Sequence, residues 1–304
     1  MKKSPFWKTG RWRSNVEGYL VISPWLIGFL FFTAGPMIMS AVLSFMRYDI
    51  ISPARWLGLG NFERLLSDPR FFAALRNTAL YSVMAVPIHL LSAFFFAMLL
   101  NRAVRGIGIF RTTYYLPSVI PSVANAAVWM WILQPQFGIA NVILKALGLP
   151  TSMFLFDKDT VIPTMALLGL WYIGSNMVIF LAALQGVPED LYEAASIDGA
   201  GGWRKLIQIT LPLISPAILF NLTMGLILSF QVFNFVYIAT KGGPGDASLM
   251  YVLYLFQHGF ENLRMGYASA LAWVLFVIVM AITFVQFKFS KRWVYYESGG
   301  EGRV

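Results

Sequence analysis

Residues 265–287 read MGYASALAWVLFVIVMAITFVQF, bounded by Arg264 and Lys288, with no charged side chain between them. An α-helix needs about 20 residues to cross the hydrocarbon core of a bilayer, and this stretch is long enough. A charge at the centre of such a helix costs about 3 kcal/mol even on the lenient insertion scale. Five further windows are equally free of charge: 19–46, 77–101, 112–144, 160–188 and 206–240. Every charged residue of the chain falls outside the six. A soluble protein of this size scatters its charges over its surface. The segregation predicts an all-α polytopic membrane protein with six transmembrane helices, at about 19–46, 77–101, 112–134, 162–185, 212–240 and 265–288. They form one transmembrane region, 19–290, between tails at 1–18 and 291–304.

Composition agrees. Of 304 residues, 58% are hydrophobic and 12% charged, about half the usual charged fraction. Spans and loops use nearly the whole length, leaving no room for a separate soluble domain. The formal charge of +9 does not point to nucleic acid, because the basic residues sit at helix ends. With no cysteine, disulfides, thiol chemistry and Cys-ligated metals are excluded. The first apolar run is too long for a signal-peptide core and lacks a small-residue cleavage site, so it reads as a retained helix.

Placing both termini on one side puts 14 Lys and Arg there and 9 on the other. The richer side is expected to be cytoplasmic. The 47–76 segment runs against the rule, with five arginines on the expected outer side, although Asp49, Glu63 and Asp68 accompany them. Prolines interrupt several spans: Pro24 and Pro36 in the first, Pro117 and Pro121 in the third. They read either as packing geometry or as gating elements. The third window is too long for one helix and is expected to end near Gln134-Pro135-Gln136. Residues 137–163 then form an outer loop with a short amphipathic piece at 140–147. Gly242-Gly243-Pro244-Gly245 predicts a turn closing the fifth span on the outer side.

The loop 186–212 reads GVPEDLYEAASIDGAGGWRKLIQITLP. Pro188 suits a first helical position, and Glu189 and Asp190 complement the positive end of the helix dipole. Ala194 and Ala195 favour helix, and Gly199 to Gly202 stop it. The pattern is a short helix, a break and a second short helix, with small residues permitting a partner surface to approach. Pro212 then opens the next span.

This segment resembles the EAA loop of ABC-importer permeases, in Glu193-Ala194-Ala195, Gly199 and Ile209-x-Leu211-Pro212. Ser23-Pro24-Trp25-Leu26-Ile27-Gly28, Tyr115-Leu116-Pro117-Ser118, Gly242-Gly243-Pro244 and Arg292-Trp293-Val294-Tyr295-Tyr296-Glu297 are similar to the first permease subunit of maltose- and glycerol-phosphate-type carbohydrate importers. The likeness covers essentially the whole chain. It departs at Leu206, where the family often has Phe, and in lacking a long N-terminal extension. The resemblance implies a MetI-like fold in a bacterial inner membrane and a subunit that moves a sugar while doing no covalent chemistry. It also implies a coupling helix in which Glu193, Ala194, Ala195, Asp198 and Gly199 engage an ATPase. The implied partners are a second, homologous permease, a cytoplasmic ATPase dimer and an extracytoplasmic sugar-binding protein.

The missing motifs bear on mechanism. No Gly-x-x-x-x-Gly-Lys-Ser/Thr occurs, and Gly199-Ala200-Gly201-Gly202-Trp203-Arg204-Lys205 lacks the hydroxyl residue after its lysine. ATP binding by that route belongs to another subunit. His89 and His258 are the only histidines, so no metal constellation, catalytic site or cofactor is expected. His89, inside a span, reads as a packing hydrogen-bonder or, less naturally, a ligand. With no Asp or Glu in the windows, proton coupling lacks a relay, whereas sodium coupling through carbonyls stays open.

A neutral, hydroxylated ligand wants amides for hydrogen bonds and aromatic faces for its C–H surfaces. Span five offers Phe230, Gln231 and Asn234, the latter two spaced to share a helix face. Span four offers Trp171, Tyr172, Ser175 and Asn176. The family resemblance places the sugar site at the Phe-(Asn/Gln)-x-x-Asn stretch of span five. Asn125 and Trp129 in span three are weaker candidates. The competing reading makes these amides interhelical glue. Trp7, Trp12, Trp56 and Trp293 suit an interfacial belt. No Lys or Arg enters a window, which leans the cargo away from phosphate or carboxylate and toward a neutral sugar; the alternative readings are a permease for glycerol 3-phosphate or another polyol and, less naturally, a secondary transporter.

Overall fold

A computed structural model describes residues 6–102 and 104–295, with residues 6–14 described by backbone alone. The outer parts of both tails, the side chains of Trp7 and Trp12, and Tyr296 and Glu297 lie outside the described residues. Two compact units are present, Met1–Leu66 with His258–Trp273, and Ser67–Gln257 with Val274–Val304.

The smaller unit carries the first span, helical over Asn15–Ser44. Pro36 removes an N–H and crowds the carbonyl four residues back, so an uninterrupted α-helix is strained there. The chain answers with a π-helical turn at Leu30–Ala34, in which the Gly35 N–H donates to the Leu30 carbonyl. Large apolar side chains such as Val21, Phe31 and Phe32 are exposed, as a bilayer-facing helix requires. Beyond Ser44 the strands Met46–Arg47 and Arg55–Trp56 pair antiparallel, and Phe45 stacks on Trp56. The buried Asn61 amide donates to the carbonyls of Ser44 at 2.8 Å and Met46 at 2.9 Å, satisfying groups freed at the helix end.

The Gly266 N–H donates to the Tyr48 carbonyl at 3.1 Å. A Cβ at Gly266 would overlap the Met46 carbonyl, which is backbone and cannot swing aside. Gly266→Ala is therefore expected to destabilise the protein by about 2–3 kcal/mol. Lowered thermal stability of the purified protein checks it; an unshifted melting curve contradicts the contact.

The larger unit is organised on the helix Pro69–Leu100, which begins ahead of the uncharged window at 77–101. Asp68 caps it by accepting from the Arg70 N–H at 3.0 Å, and Pro69 occupies the first turn, where its missing N–H costs nothing. Charge-free windows report the hydrocarbon, and a helix continues past it. Ala74, Ala85, Ala93 and Ala97 are fully buried along this helix and let its neighbours approach closely. Ala93, Ala97 and Leu100 pack with Met177, Phe180, Leu181 and Leu184 in one cluster, each set at helical spacing.

Met265–Ser290 and Ser215–Ala239, the latter counted across a short break at 231–233, join Asn15–Ser44 and Pro69–Leu100 as segments long and apolar enough to cross a bilayer. Val161–Tyr172 and Gly174–Gln185 pass the same test together, bent by 52°. Gly174 sits at the bend, where a Cβ would come within 2.5 Å of the Tyr114 carbonyl and 2.7 Å of the Ser118 hydroxyl. The third window is divided into Ile107–Tyr115, a 3-10 turn Leu116–Val119 and Ser122–Ile132. Pro117 and Pro121 cannot donate into a helical ladder, so the run breaks between them. The amphipathic piece expected at 140–147 is the helix Ile139–Ala146.

At 241–246 the chain turns through left-handed backbone at Lys241, Gly242, Gly245 and Asp246, with a cis Gly243–Pro244 bond. Arg70 holds this turn with paired hydrogen bonds to the Asp246 carboxylate at 2.9 and 2.8 Å, and Asn77 donates to the Asp246 carbonyl at 2.8 Å.

Candidate functional site

Two adjoining cavities lie in the larger unit, of about 300 and 270 Å³. Tyr81, Gly169, Tyr172 and Val232 line both. Both broken spans meet there. Irregular backbone inside a membrane survives only where protein covers it or a cavity receives it, and discontinuous helices mark substrate sites in transporters.

In span five the helix Ser215–Phe230 stops, and Asn234–Ala239 starts after a break at 231–233. Their spacing predicts a shared helix face for Gln231 and Asn234, but the break separates them from one helix, and both line the second cavity. Of the span-four candidates, Ser175 and Asn176 line the first cavity and Tyr172 lines both. Phe230 is buried and Trp171 packs edge-on against Trp129; both lie outside the cavity walls. Asn125 and Trp129 line the second cavity. Tyr81, Ser122, Asn221 and Ser229 also line these cavities and were not singled out by sequence. Their signal was a polar tip in an apolar window, too common to rank.

Hydrogen bonding separates glue from free donors. Asn221 donates to its own helix's Ala217 carbonyl at 3.1 Å, Asn125 donates to the Tyr172 hydroxyl, and Ser82 bonds Ser229. His89 Nε2 lies 2.8 Å from the Ala166 carbonyl, which can only accept, so this nitrogen carries the proton. A Cβ on Gly169 would fall in the His89 ring, so only glycine fits beside it. By contrast, the side chains of Ser175, Asn176, Gln231 and Asn234 have no hydrogen-bond partner among the described residues, and Ser175, Gln231 and Asn234 are exposed. No Lys, Arg, Asp or Glu lines either cavity.

The loop 186–212 has a different architecture. Pro188 caps, one position ahead of the helix it was expected to begin, and Glu189–Ile197 follows with Glu189 and Asp190 in its first turn. The helix ends in a Schellman closure: Ala200 N–H donates to the Ala195 carbonyl at 2.8 Å and Gly199 N–H to that of Ser196 at 3.1 Å. Gly199 takes φ +75°, which a side chain disfavours. After Gly202–Lys205, a π-helical turn Leu206–Thr210 and the short helix Leu211–Leu213 precede the long helix, which starts at Ser215 and not at Pro212. Tyr192 and Thr210 hydroxyls meet at 2.8 Å, joining the short helix to the root of span five. Ser215 Oγ accepts from the Tyr295 N–H at 2.8 Å and donates to the Pro212 carbonyl at 2.6 Å. Glu193, Ala194, Asp198 and Gly199 are exposed, and Ala195 is half-buried. Ile197 and Trp203 are 87% and 74% exposed, apolar surface beside the same helix.

Residues 89–294 match the family described as binding-protein-dependent transport system inner membrane component. The chain is similar to the probable ABC transporter permease protein YesP of Bacillus subtilis (strain 168), 44% identical over 294 residues, which covers 95% of each chain. It is also similar to the arabinooligosaccharides transport system permease protein AraP of Halalkalibacterium halodurans, 34% identical over 90% of this chain and 87% of the relative. A bacterial ABC transporter involved in the import of the acidic polysaccharide alginate has the same fold, with TM-score 0.82 and 25% identity over 95% of this chain and 99% of that one. The free amides in broken spans, the exposed loop helix and these matches agree: the chain belongs to the binding-protein-dependent transport inner-membrane component family, as the non-enzymatic permease subunit of an ABC importer whose ATPase is a separate partner.

Proposed function

We propose that this permease carries a neutral sugar or short oligosaccharide through the two adjoining cavities, with Gln231, Asn234, Asn176 and Ser175 bonding its hydroxyls and Tyr172 facing its ring. The observation that carries the reading is that these polar groups line cavities without protein partners, in walls that hold no charge. An amide kept from protein partners in a membrane is costly unless water or a ligand satisfies it. The name of the arabinooligosaccharide relative supports the substrate class. A glycerol phosphate fits less well, since its dianion would meet no cation on either wall.

In this reading the chain pairs with a second, homologous permease, and both termini face the cytoplasm. Two ATPase subunits grip the helix Glu189–Ile197 through Glu193, Ala194, Ala195, Asp198 and Gly199, and a sugar-binding protein delivers cargo from outside. ATP-driven closure would reach the cavities by the shortest covalent route, since the loop leads through Thr210 and Ser215 into the broken span carrying Gln231 and Asn234. The test is to purify the chain with its partners, reconstitute the complex and screen saccharides with their binding protein for stimulated ATPase activity. Stimulation by a neutral saccharide supports the proposal; stimulation by charged solutes alone sinks it.

A further inference from the structure

A third cavity, of about 580 Å³, lies in the smaller unit. Its wall carries Arg47, Arg64 and Arg264, with Asp49, Asn262 and Tyr267. Asp49 is its one acid, and Ser52 occupies that carboxylate, donating its N–H at 2.7 Å and its hydroxyl at 3.2 Å. That N–H holds the Asp49 carboxyl below its ordinary range, so it stays an anion committed to the turn. Neither Arg47 nor Arg264 makes a salt bridge among the described residues, and Arg64 lies over the Tyr267 ring at 5.0 Å. Three arginines thus line one space whose lining holds a single carboxylate, already bonded by Ser52.

The cavity is built on a fixed floor. Asn61 ties the end of the first span, the Met46–Arg47 strand pairs with Arg55–Trp56, and Gly266 seats against Met46 and Tyr48. The arginines also have a defined depth. Arg47 follows the helix that ends at Ser44 by three residues, and Arg264 immediately precedes the helix Met265–Ser290. Both stand where a spanning helix leaves the hydrocarbon, the level of lipid phosphates. Ile51 and Trp56, 83% and 69% exposed, flank the same hairpin with surface suited to the acyl boundary.

We propose that this cavity binds the phosphate of an anionic phospholipid headgroup, held by Arg47, Arg64 and Arg264. Guanidinium forks match phosphate oxygens in pairs, and Asn262 can donate to the glycerol hydroxyls. Lipid held there would brace the hairpin against the start of the last span.

The test uses the full chain purified with its partner subunits in mild detergent, titrated with phosphatidylglycerol and with phosphatidylcholine, bound lipid being counted by native mass spectrometry. Wild type is expected to prefer phosphatidylglycerol, and Arg47→Gln with Arg264→Gln to lower that preference roughly 30-fold, about 5-fold per arginine. Arg70→Gln, in the other unit, is expected to leave it unchanged. If the glutamine pair does not assemble, Arg47→Lys with Arg264→Lys keeps the charge, and the preference must then decline with added salt. A preference that survives the glutamine pair, or that salt leaves untouched in the lysine pair, overturns the site. Inorganic phosphate binding as tightly as phosphatidylglycerol overturns the lipid assignment in favour of a soluble anion.

Discussion

Uptake by the reconstituted complex is expected to fall roughly 100-fold when Gly199 is replaced by proline. Proline locks φ near −65°, and Gly199 stands at +75°. The substitution also removes the N–H that donates to the Ser196 carbonyl. Losing both the left-handed residue and one bond of the closure costs about 3 kcal/mol locally, enough to re-aim the 200–205 segment. Glu193 and Asp198 would then present a different surface to the ATPase. Hydrolysis should either continue without uptake or lose its dependence on the binding protein. Gly199→Ala separates geometry from contact: nothing lies within 4 Å of the added Cβ, so the only cost is about 1–2 kcal/mol of left-handed strain. Alanine is therefore expected to be the milder change, at about one-tenth of wild-type uptake. Normal sugar uptake in the proline variant would rule out a coupling role for this helix.

Removing both free amides of the broken fifth span should weaken apparent transport affinity by roughly 30-fold. Each hydrogen bond to a neutral hydroxyl contributes about 1 kcal/mol net, and Gln231→Ala with Asn234→Ala removes two. Neither side chain bonds the protein among the described residues, so assembly and thermal stability should hold. Asn125→Ala is the contrasting control. Its amide is 4% exposed and bonds Tyr172, so losing it should loosen the wall shared by both cavities and lower stability. Saturation curves for uptake at fixed complex density distinguish the two. An unchanged half-saturation point in the Gln231 and Asn234 double variant would remove both residues from the substrate path.

Helix breakers were legible in the sequence wherever the cause was local. Pro117 and Pro121 interrupt the third window because proline cannot donate a ladder hydrogen bond, whatever surrounds it. Gly199 closes the helix Glu189–Ile197 because that closure needs a left-handed residue within a few positions. The break at 231–233 was not legible, since Gln231, Val232 and Phe233 contain neither proline nor glycine. Spacing alone read Gln231 and Asn234 as neighbours on a helix, and the break brings them together by another route. Phe230 and Trp171 illustrate the same limit. Both belong to stretches that reach the cavities, yet one points into the core and the other against Trp129.

The linear order of residues by itself determined that this protein lives in a bilayer and where proline or a left-handed glycine interrupts its helices. Desolvation of charge, proline geometry and left-handed turns act over a few residues and need no knowledge of the rest of the chain. Only the tertiary structure decided which amides are consumed by neighbours and which stay open, and that arginines distant in sequence share one cavity. A hydrogen bond or an electrostatic pocket is defined by distances of a few ångströms between segments far apart in sequence, and folding alone sets those distances.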